Sequence, residues 1–452
     1  MNPEFRRNLL LELTVHRLIA MPLILLLIYA AAWLGGDAED VSEAASVVMA
    51  GLLVLWGTRL AADAVLGEVR GRTWDSQRMS TIGPFSMGWG KLLGSTVYVW
   101  YGAALSAPAL LYDWEAEYSD LLRIVMVGLF AQSTALFVSL IVLRLRPERL
   151  RFQVTASQLF GIAAAVVWWS ILEDPPSGLV GSGDKQWYGL TLTRDVFLLV
   201  CSVTFLAWTL FGVYRLLRAE LQFRSWPVGW TAFVLFFGVF IGGFGGSRQP
   251  YEPGMSLVLS SDVISRLLSS YIVVLVLVWL AAFVEPKGFV RLRRLIAARD
   301  AGEFRRFFES VPAWFPGMVV GLALGMVFFI VLSFVPEIGT AYGGLLNMES
   351  PRAFAVALFL FLMRDIGLIH LITLDGRKRR ANITALVYLV VLYILFPVLA
   401  AAADWEAALP VFMPYSEGNP MVITLPVALQ VVVVAVLFRM RWRRVARSMA
   451  AA

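Results

Sequence analysis

The chain has 452 residues, of which 59% are apolar and 15% charged, with a formal net charge of +6. Soluble domains are nearer half apolar and a quarter charged, and they must cover their surface with polar groups. This composition excludes a soluble enzyme, a disordered scaffold and a disulfide-rich secreted domain. It predicts an all-α, polytopic membrane protein.

Metal and thiol chemistry have few candidate residues. The single cysteine, Cys201, excludes an intrachain disulfide, and the two histidines, His16 and His370, lie far apart in sequence. No HExxH or clustered-histidine spacing is present, so the sequence predicts neither a catalytic zinc site nor any catalytic residue.

The N-terminal segment 3–17 reads as a helix at the membrane surface. Leucines 9, 10 and 13 and Val15 share one predicted side, and Arg6, Arg7 and Glu12 share the other. The apolar run that follows is longer than the roughly 7–15 residues of a signal-peptide core, so we expect it to be retained as the first span.

Twelve apolar stretches have the roughly 20 residues that a membrane-spanning helix needs. With the N-terminus in the cytoplasm, the inner loops hold most of the lysines and arginines, as in the segments 144–151, 291–294, 377–380 and 439–447. Both termini are therefore predicted to be cytoplasmic, and this topology accounts for the positive charge without nucleic-acid binding. The predicted spans are 18–35, 45–66, 92–112, 121–143, 154–172, 196–216, 227–245, 264–284, 312–334, 353–374, 382–402 and 420–438.

The inner loop 67–91 predicts a short surface helix. Thr73 is the expected N-cap, Asp75 lies in the first turn, and Gly83-Pro84 ends the helix. Two interpretations remain open, a helix that docks into a groove of a partner protein and an interfacial turn without a partner. The predicted apolar side consists of Trp74, Met79 and Ile82.

Nucleotide binding by this chain is not predicted. The nearest approach to a Walker A sequence is Gly90-Lys91, but Phe85 stands where the first glycine belongs and Leu92 follows the lysine. No loop is long enough for an ATPase domain. If the protein uses ATP, another chain must bind it.

Charged residues inside the predicted spans need partners, because a lone charge at mid-bilayer costs about 2.5–3.5 kcal/mol on insertion scales. Asp63 follows Arg59 by four residues, which predicts an ion pair along one helix. Arg364 and Asp365 point about 100° apart, so we expect bonds to other helices. Two interpretations stay open, a polar lining or latch of a pathway and a structural inter-helix pair.

These features resemble the permease subunits of type-2 ABC exporters, the ABC-2 family, and the likeness covers residues 1–225. Such permeases carry an amphipathic N-terminal helix and a coupling helix between spans two and three. The one departure is Arg72, where the family usually has glycine. The matching positions are Glu68, Thr73, Trp74, Asp75, Pro84, Gly90 and Lys91, with Arg78 at the basic position of the coupling helix.

The resemblance implies an exporter subunit of the bacterial inner membrane, driven by a separate ATPase that binds ATP and Mg²⁺. It also implies short re-entrant or extracytoplasmic helices between spans five and six, here segment 173–195 with Trp187, Tyr188 and Gly189 at its apolar core. The residues expected to couple to the ATPase are Glu68, Arg72, Thr73, Trp74, Asp75, Arg78 and Lys91.

The second half, 226–452, adds six spans and has two possible origins. The sequence Glu-Phe-Arg-Arg at 4–7 recurs at 303–306, and Arg364 is a possible counterpart of Arg59, which would make this half a diverged repeat. Chance similarity is the alternative. Because the second half lacks a coupling-helix signature, we expect a second permease chain to complete the pathway.

Two other classes of protein compete with this interpretation. A secondary transporter of the major facilitator type also has twelve spans, but its long central loop would fall at 217–226, and the nearest likeness to its loop motif, 375–380, lies between spans ten and eleven. A membrane transferase would need gathered acidic residues, and the outer carboxylates Asp113, Glu115 and Glu117 form no recognisable pair.

Overall fold

A computed structural model shows a helical multi-pass membrane protein, with one short β-hairpin among the residues that it describes. It describes residues 2–113, 118–145, 150–173, 185–223, 227–244, 261–285, 287–334, 349–374 and 381–450. The chain divides into two compact units. Unit 1 comprises Met1–Lys185 and Thr191–Ser225, and unit 2 comprises Gln186–Leu190 and Trp226–Ala452.

Ten helical stretches in the described ranges are long and apolar enough to cross a bilayer. Two further apolar helices, Val97–Leu110 and Val228–Gly242, are shorter. The second is about 22 Å long at 1.5 Å per residue, against about 30 Å for the hydrocarbon core. In chain order these twelve helical segments fall on the twelve predicted spans, and only the third and seventh are too short to span unaided.

The central element of unit 1 is the long helical stretch Ala38–Arg70, which contains a π-helical segment at Gly51–Trp56. The core of the unit contains Ala61 and Val65, which lie four residues apart on one side of a helix, together with Leu136 and Leu217 from two other helices. The helices are α1 Pro3–Glu12, α2 Val15–Gly35, α3 Ala38–Ala50, α4 Gly57–Arg70, α5 Trp74–Arg78, α6 Pro84–Ser95, α7 Val97–Leu110, α8 Tyr118–Leu145, α9 Leu150–Glu173 and α10 Arg194–Glu220.

The π-helical segment joins α3 to α4 in one 33-residue span, Ala38–Arg70. A π-helix shifts the backbone hydrogen-bond pattern, so nearby carbonyls need other donors inside a membrane. Gln132 donates to the Leu53 carbonyl at 3.0 Å, and Gln158 donates to the Leu55 carbonyl at 3.1 Å. These side-chain bonds add to the backbone bonds of the π-helical segment, such as the one from the Gly57 amide to the Leu52 carbonyl.

In unit 2 the helix Ser261–Val284 packs against the helices Trp314–Ser333 and Pro351–Thr373. The core there contains Tyr271, Val278, Phe328 and Ile369. A π-helical segment, Val391–Leu395, and a 3₁₀ turn, Glu406–Ala408, lie between later helices of the unit. The helices are α11 Val228–Gly242, α12 Ser261–Val284, α13 Phe289–Asp300, α14 Phe304–Ser310, α15 Trp314–Ser333, α16 Pro351–Thr373, α17 Ala381–Val390, α18 Phe396–Ala402, α19 Leu409–Phe412 and α20 Pro420–Ala450.

The hairpin corrects the expectation of helices in segment 173–195. Strands β1 Lys185–Trp187 and β2 Leu190–Leu192 are joined at Tyr188 and Gly189, whose φ angles are 51° and 80°. Two consecutive positive φ angles are typical of the turns that match the twist of a hairpin. Over 185–192 the segment is therefore β-structure, and 174–184 lie outside the described residues.

Candidate functional site

Lys91 on α6 is the centre of a buried polar cluster in unit 1. Its side chain is 1% exposed, and its ammonium lies 3.2 Å from the Glu4 carboxylate of α1 and 2.8 Å from the Gln77 side-chain oxygen of α5. It also donates to the Glu68 carboxylate of α4. One cation thus joins four helices.

Arg7 of α1 supplies the second cation of this cluster. Its guanidinium lies 3.0 Å from the Glu4 carboxylate and 2.5 Å from the Glu68 carboxylate, which also accepts a hydrogen bond from the Gln77 amide. Two carboxylates therefore face two cations. We name Glu4, Arg7, Glu68, Gln77 and Lys91 the Lys91 cluster. Buried charges are tolerated when they are paired and hydrogen-bonded in this way.

Close approach of α1 to α6 brings Glu4 to Lys91. A Cβ atom added at Gly90 would lie 2.6 Å from the Glu4 Cβ, and one at Gly94 would lie 2.9 Å from the Asn8 Cβ. Asn8 donates to the Gly90 carbonyl at 3.3 Å. Glycine at these two positions of α6 is what allows the N-terminal helix to lie against it.

The N-terminal helix is shorter than the predicted segment 3–17. Helix α1 ends at Glu12, and Leu13 and Thr14 have non-helical backbone angles before α2 begins at Val15. Asn2 caps its start, accepting from the amide of Glu4 at 3.0 Å. Of the predicted apolar side, Leu9 and Leu13 are half-buried, whereas Leu10 and Val15 are exposed to the surroundings of the protein.

Helix α5 lies where a surface helix was predicted, but its start and end differ. Thr73 makes no capping bond, because its backbone is in the α-helical region and not in the extended conformation typical of an N-cap; its hydroxyl instead donates to the Glu68 carbonyl at 3.3 Å. The helix ends at Arg78, well before Gly83-Pro84. Met79 is 82% exposed rather than part of a buried apolar side. The capping and the length predicted for this helix were therefore wrong.

Trp74 anchors α5 to the body of unit 1. The indole is 5% exposed, packs within the core of unit 1, and lies 5.3 Å from the Lys91 ammonium in a cation–π contact. The side chains of Trp74 and Gln77 both turn inward. Inward burial of the tryptophan makes it an attachment point and removes it from the exposed surface.

The outward side of α5 is polar and accessible. The Asp75 side chain is 86% exposed, and the Arg78 guanidinium lies 3.6 Å from its carboxylate. Arg72, Thr73 and Met79 are exposed beside them. We name Arg72, Thr73, Asp75, Arg78 and Met79 the outward face. Of the residues predicted to couple to an ATPase, Glu68, Trp74 and Lys91 lie beneath this face.

Arg72 occupies the left-handed region of backbone space, with a φ of 58°. This region favours glycine, which is the residue that the ABC-2 signature usually has at the corresponding position. Bonds from the Gly71 amide to the Gly67 carbonyl, 2.8 Å, and from the Arg72 amide to the Val69 carbonyl, 3.2 Å, close the turn. The turn is formed with arginine in the place of glycine.

Three members of the Lys91 cluster were not among the predicted site residues, namely Glu4, Arg7 and Gln77. A partial signal exists in the sequence. Gly90 and Gly94 flank Lys91 at helical spacing and indicate a close helix neighbour. Nothing in that spacing identifies α1 as the neighbour.

The predicted ion pair between Arg59 and Asp63 is not present. The Arg59 guanidinium donates to the Thr155 hydroxyl of α9 at 3.3 Å, and Asp63 lies 3.5 Å from Arg70. Each side chain thus contacts a different residue. The i,i+4 rule describes an isolated helix, and here neighbouring groups override it.

Arg364 and Asp365 of α16 form a buried pair in unit 2. The Arg364 Nε lies 2.9 Å from the Asp365 carboxylate, although adjacent helical residues were expected to bond elsewhere. Bonds to other helices are present as well. Arg364 donates to the Gln430 side chain at 2.9 Å, and the Tyr393 hydroxyl donates to Asp365 at 2.8 Å. The Gln430 amide continues to the Val411 carbonyl of α19 at 2.7 Å.

Trp187 and Tyr188 cap the end of α11, within unit 2. The Trp187 indole donates to the Phe240 carbonyl at 3.0 Å, and the Tyr188 hydroxyl donates to the Val239 carbonyl at 2.8 Å. The last carbonyls of a helix have no partner within it. Arg266 lies over the Tyr188 ring at 5.2 Å. These residues hold the hairpin turn on a helix end.

A small pocket in unit 2 is lined by Glu285, Lys287, Arg291, Trp314 and His370. Glu285 pairs with Arg291 at 2.5 Å and accepts from the Ala313 amide at 2.7 Å. Burial raises the pKa of Glu285, and burial lowers the pKa of Lys287 to about 8. Both shifts result from the loss of water around a charge.

No family model, no curated protein and no solved structure matches this chain. The likeness to ABC-2 permeases therefore rests on the motif residues of unit 1. Their arrangement in space has to carry any functional conclusion.

Proposed function

We propose that this chain is the membrane-spanning permease subunit of an ABC transporter, an exporter whose ATPase is a separate protein. The observation that carries the proposal is helix α5, which has an exposed outward face and an inward side tied to three other helices. A docking element for a motor needs both properties.

The attachments of α5 make it suited to transmit force. Trp74 and Gln77 join it to Lys91 of α6, and Glu68 and Glu4 extend the connection to α4 and α1. Removing one partner from a buried ion pair typically costs about 3–5 kcal/mol. A push on the outward face should therefore move α1, α4 and α6 with α5.

The proposal places both termini in the cytoplasm of a bacterial cell and the chain in its inner membrane. ATP and Mg²⁺ would be bound by the partner ATPase and not by this chain. A second permease chain belongs to the proposal, because the second half carries no counterpart of Thr73, Trp74 and Asp75.

The test is purification of the full tagged chain from its native membranes, followed by measurement of vanadate-sensitive ATP hydrolysis in the purified assembly. Met79→Asp should lower the hydrolysis that co-purifies by at least tenfold, because it places a charge at the exposed apolar side chain of the outward face. Phe223→Asp is the matched control, since Phe223 is also exposed and apolar but lies after α10. An assembly without an ATPase chain, or equal effects of the two variants, would overturn the proposal.

A further inference from the structure

Helix α13 and the distal part of α20 meet in unit 2 and carry a dense set of arginines. The Phe289 ring of α13 lies 4.4 Å from the Trp442 ring of α20, measured between centroids. Around this contact lie two groups of exposed guanidinium side chains. They are Arg293 and Arg294 on α13 and Arg439, Arg443 and Arg444 on α20.

The length of α20 fixes the depth of these arginines. Counted from Pro420, where the helix begins, Arg439 lies about 28 Å along the axis and Trp442 about 33 Å. The hydrocarbon core is about 30 Å thick. A helix that enters the hydrocarbon core at Pro420 therefore brings the contact between Phe289 and Trp442 to the level of the opposite lipid headgroups, where tryptophan is favoured.

These arginines differ from their neighbours in having no carboxylate partner among the described residues. Arg305 lies 3.4 Å from Glu309, and Arg306 lies 2.7 Å from Glu303. By contrast, Arg293, Arg294, Arg443 and Arg444 form no ion pair with any described residue. The segment 439–447 contains no acidic residue.

We propose that α13 and the distal part of α20 form a binding surface for anionic phospholipid headgroups. A guanidinium donates two parallel bonds to a phosphate, so clustered arginines without a carboxylate partner among the described residues match a lipid phosphate in charge and geometry. Val290 and Ile296 of α13 remain exposed, as expected for a helix lying at the boundary of the acyl chains. A soluble acidic protein would meet the cations but leave these apolar groups uncovered.

This inference does not depend on the proposed transport function. The surface lies within unit 2 and includes no residue of the Lys91 cluster or of the outward face. Its test needs the purified chain and lipid alone.

The experiment titrates phosphatidylglycerol, and separately phosphatidylcholine, into the full chain in an uncharged detergent and measures bound lipid by native mass spectrometry. A cation near an anionic headgroup contributes roughly fivefold in affinity. Arg443→Gln with Arg444→Gln should therefore weaken phosphatidylglycerol binding by at least fivefold and leave phosphatidylcholine binding unchanged. Arg443→Lys with Arg444→Lys should recover part of the loss, because charge returns without the paired geometry.

The matched control is Arg305→Gln with Arg306→Gln, which removes the same charge from arginines already paired within α14. It should change phosphatidylglycerol binding by less than twofold. Equal losses of phosphatidylglycerol binding in the two double variants would mean that net charge alone determines the binding, and this would overturn the proposed site. Equal binding of the two lipids, displacement by millimolar inorganic phosphate, or stoichiometric binding of an acidic protein at this surface would each overturn the lipid assignment.

Discussion

Replacement of Lys91 by methionine should loosen the N-terminal helix from unit 1. The substitution preserves most of the side-chain volume and removes the ammonium, leaving the Glu4 carboxylate, 3% exposed, without its fully buried partner. Breaking such a pair costs about 3–5 kcal/mol. Because Arg7 remains 3.0 Å from Glu4, we expect about 3 kcal/mol, or roughly 150-fold in the local opening equilibrium.

The assay should measure the opening of α1 and α6 individually, because a chain with two compact units does not unfold in one step. Hydrogen exchange of the full chain in detergent or nanodiscs reports the opening of each helix. In Lys91→Met, amides of α1 should exchange about a hundredfold faster than in the parent protein. Adding Glu4→Gln should reverse part of this, because the buried carboxylate that lost the Lys91 ammonium is then no longer charged.

Arg78→Gln is the control for this experiment. Arg78 also pairs with a carboxylate, Asp75, but that pair is exposed at 3.6 Å and should contribute at most about 1 kcal/mol. Unchanged α1 exchange in Lys91→Met would refute the reasoning. The reasoning would also fail if the effects of Lys91→Met and Glu4→Gln on α1 exchange were additive, since Lys91 and Glu4 would then not be coupled.

Two further predictions concern packing and protonation. Gly90→Ala should speed exchange in α1, because its Cβ would lie 2.6 Å from a Cβ atom there, whereas Gly83→Ala, with no atom within 4 Å, should be silent. Lys287, whose pKa burial lowers to about 8, should react with amine reagents with a midpoint near pH 8. Between about pH 8 and 10.5 the folded state has lost this proton while the unfolded state still holds it, so the free energy of unfolding should rise with pH. In Lys287→Met this rise should be absent.

The helical spans were predictable, because a run of about 20 apolar residues has few alternatives to a membrane helix. The place of α5 was also indicated by composition, since polar residues and Gly83-Pro84 interrupt the apolar pattern there. Its limits were not. Whether Thr73 caps the helix depends on its backbone conformation, which is helical here and not extended as at a typical N-cap.

Partners of charged side chains were the least predictable feature. Helical periodicity paired Arg59 with Asp63, because only residues on the same helix enter such an argument. The actual partner of Arg59 is Thr155 on α9, and Lys91 reaches back to Glu4 across 87 positions of sequence. Contacts of this kind are set by which helices pack together, which periodicity within one helix does not contain.

The structure also changes which part of the chain a motor would have to move. Lys91 contacts α5 through Gln77 and Trp74, and it also contacts Glu4 of α1 at 3.2 Å. If α5 carried Lys91 and α6 with it while α1 stayed in place, the buried ion pair between Lys91 and Glu4 would break. The N-terminal helix is therefore part of the proposed coupling element. A chain lacking residues 2–12 should insert and keep α5 in contact with Lys91, but amides of α6 should exchange faster, because Lys91 loses the Glu4 carboxylate.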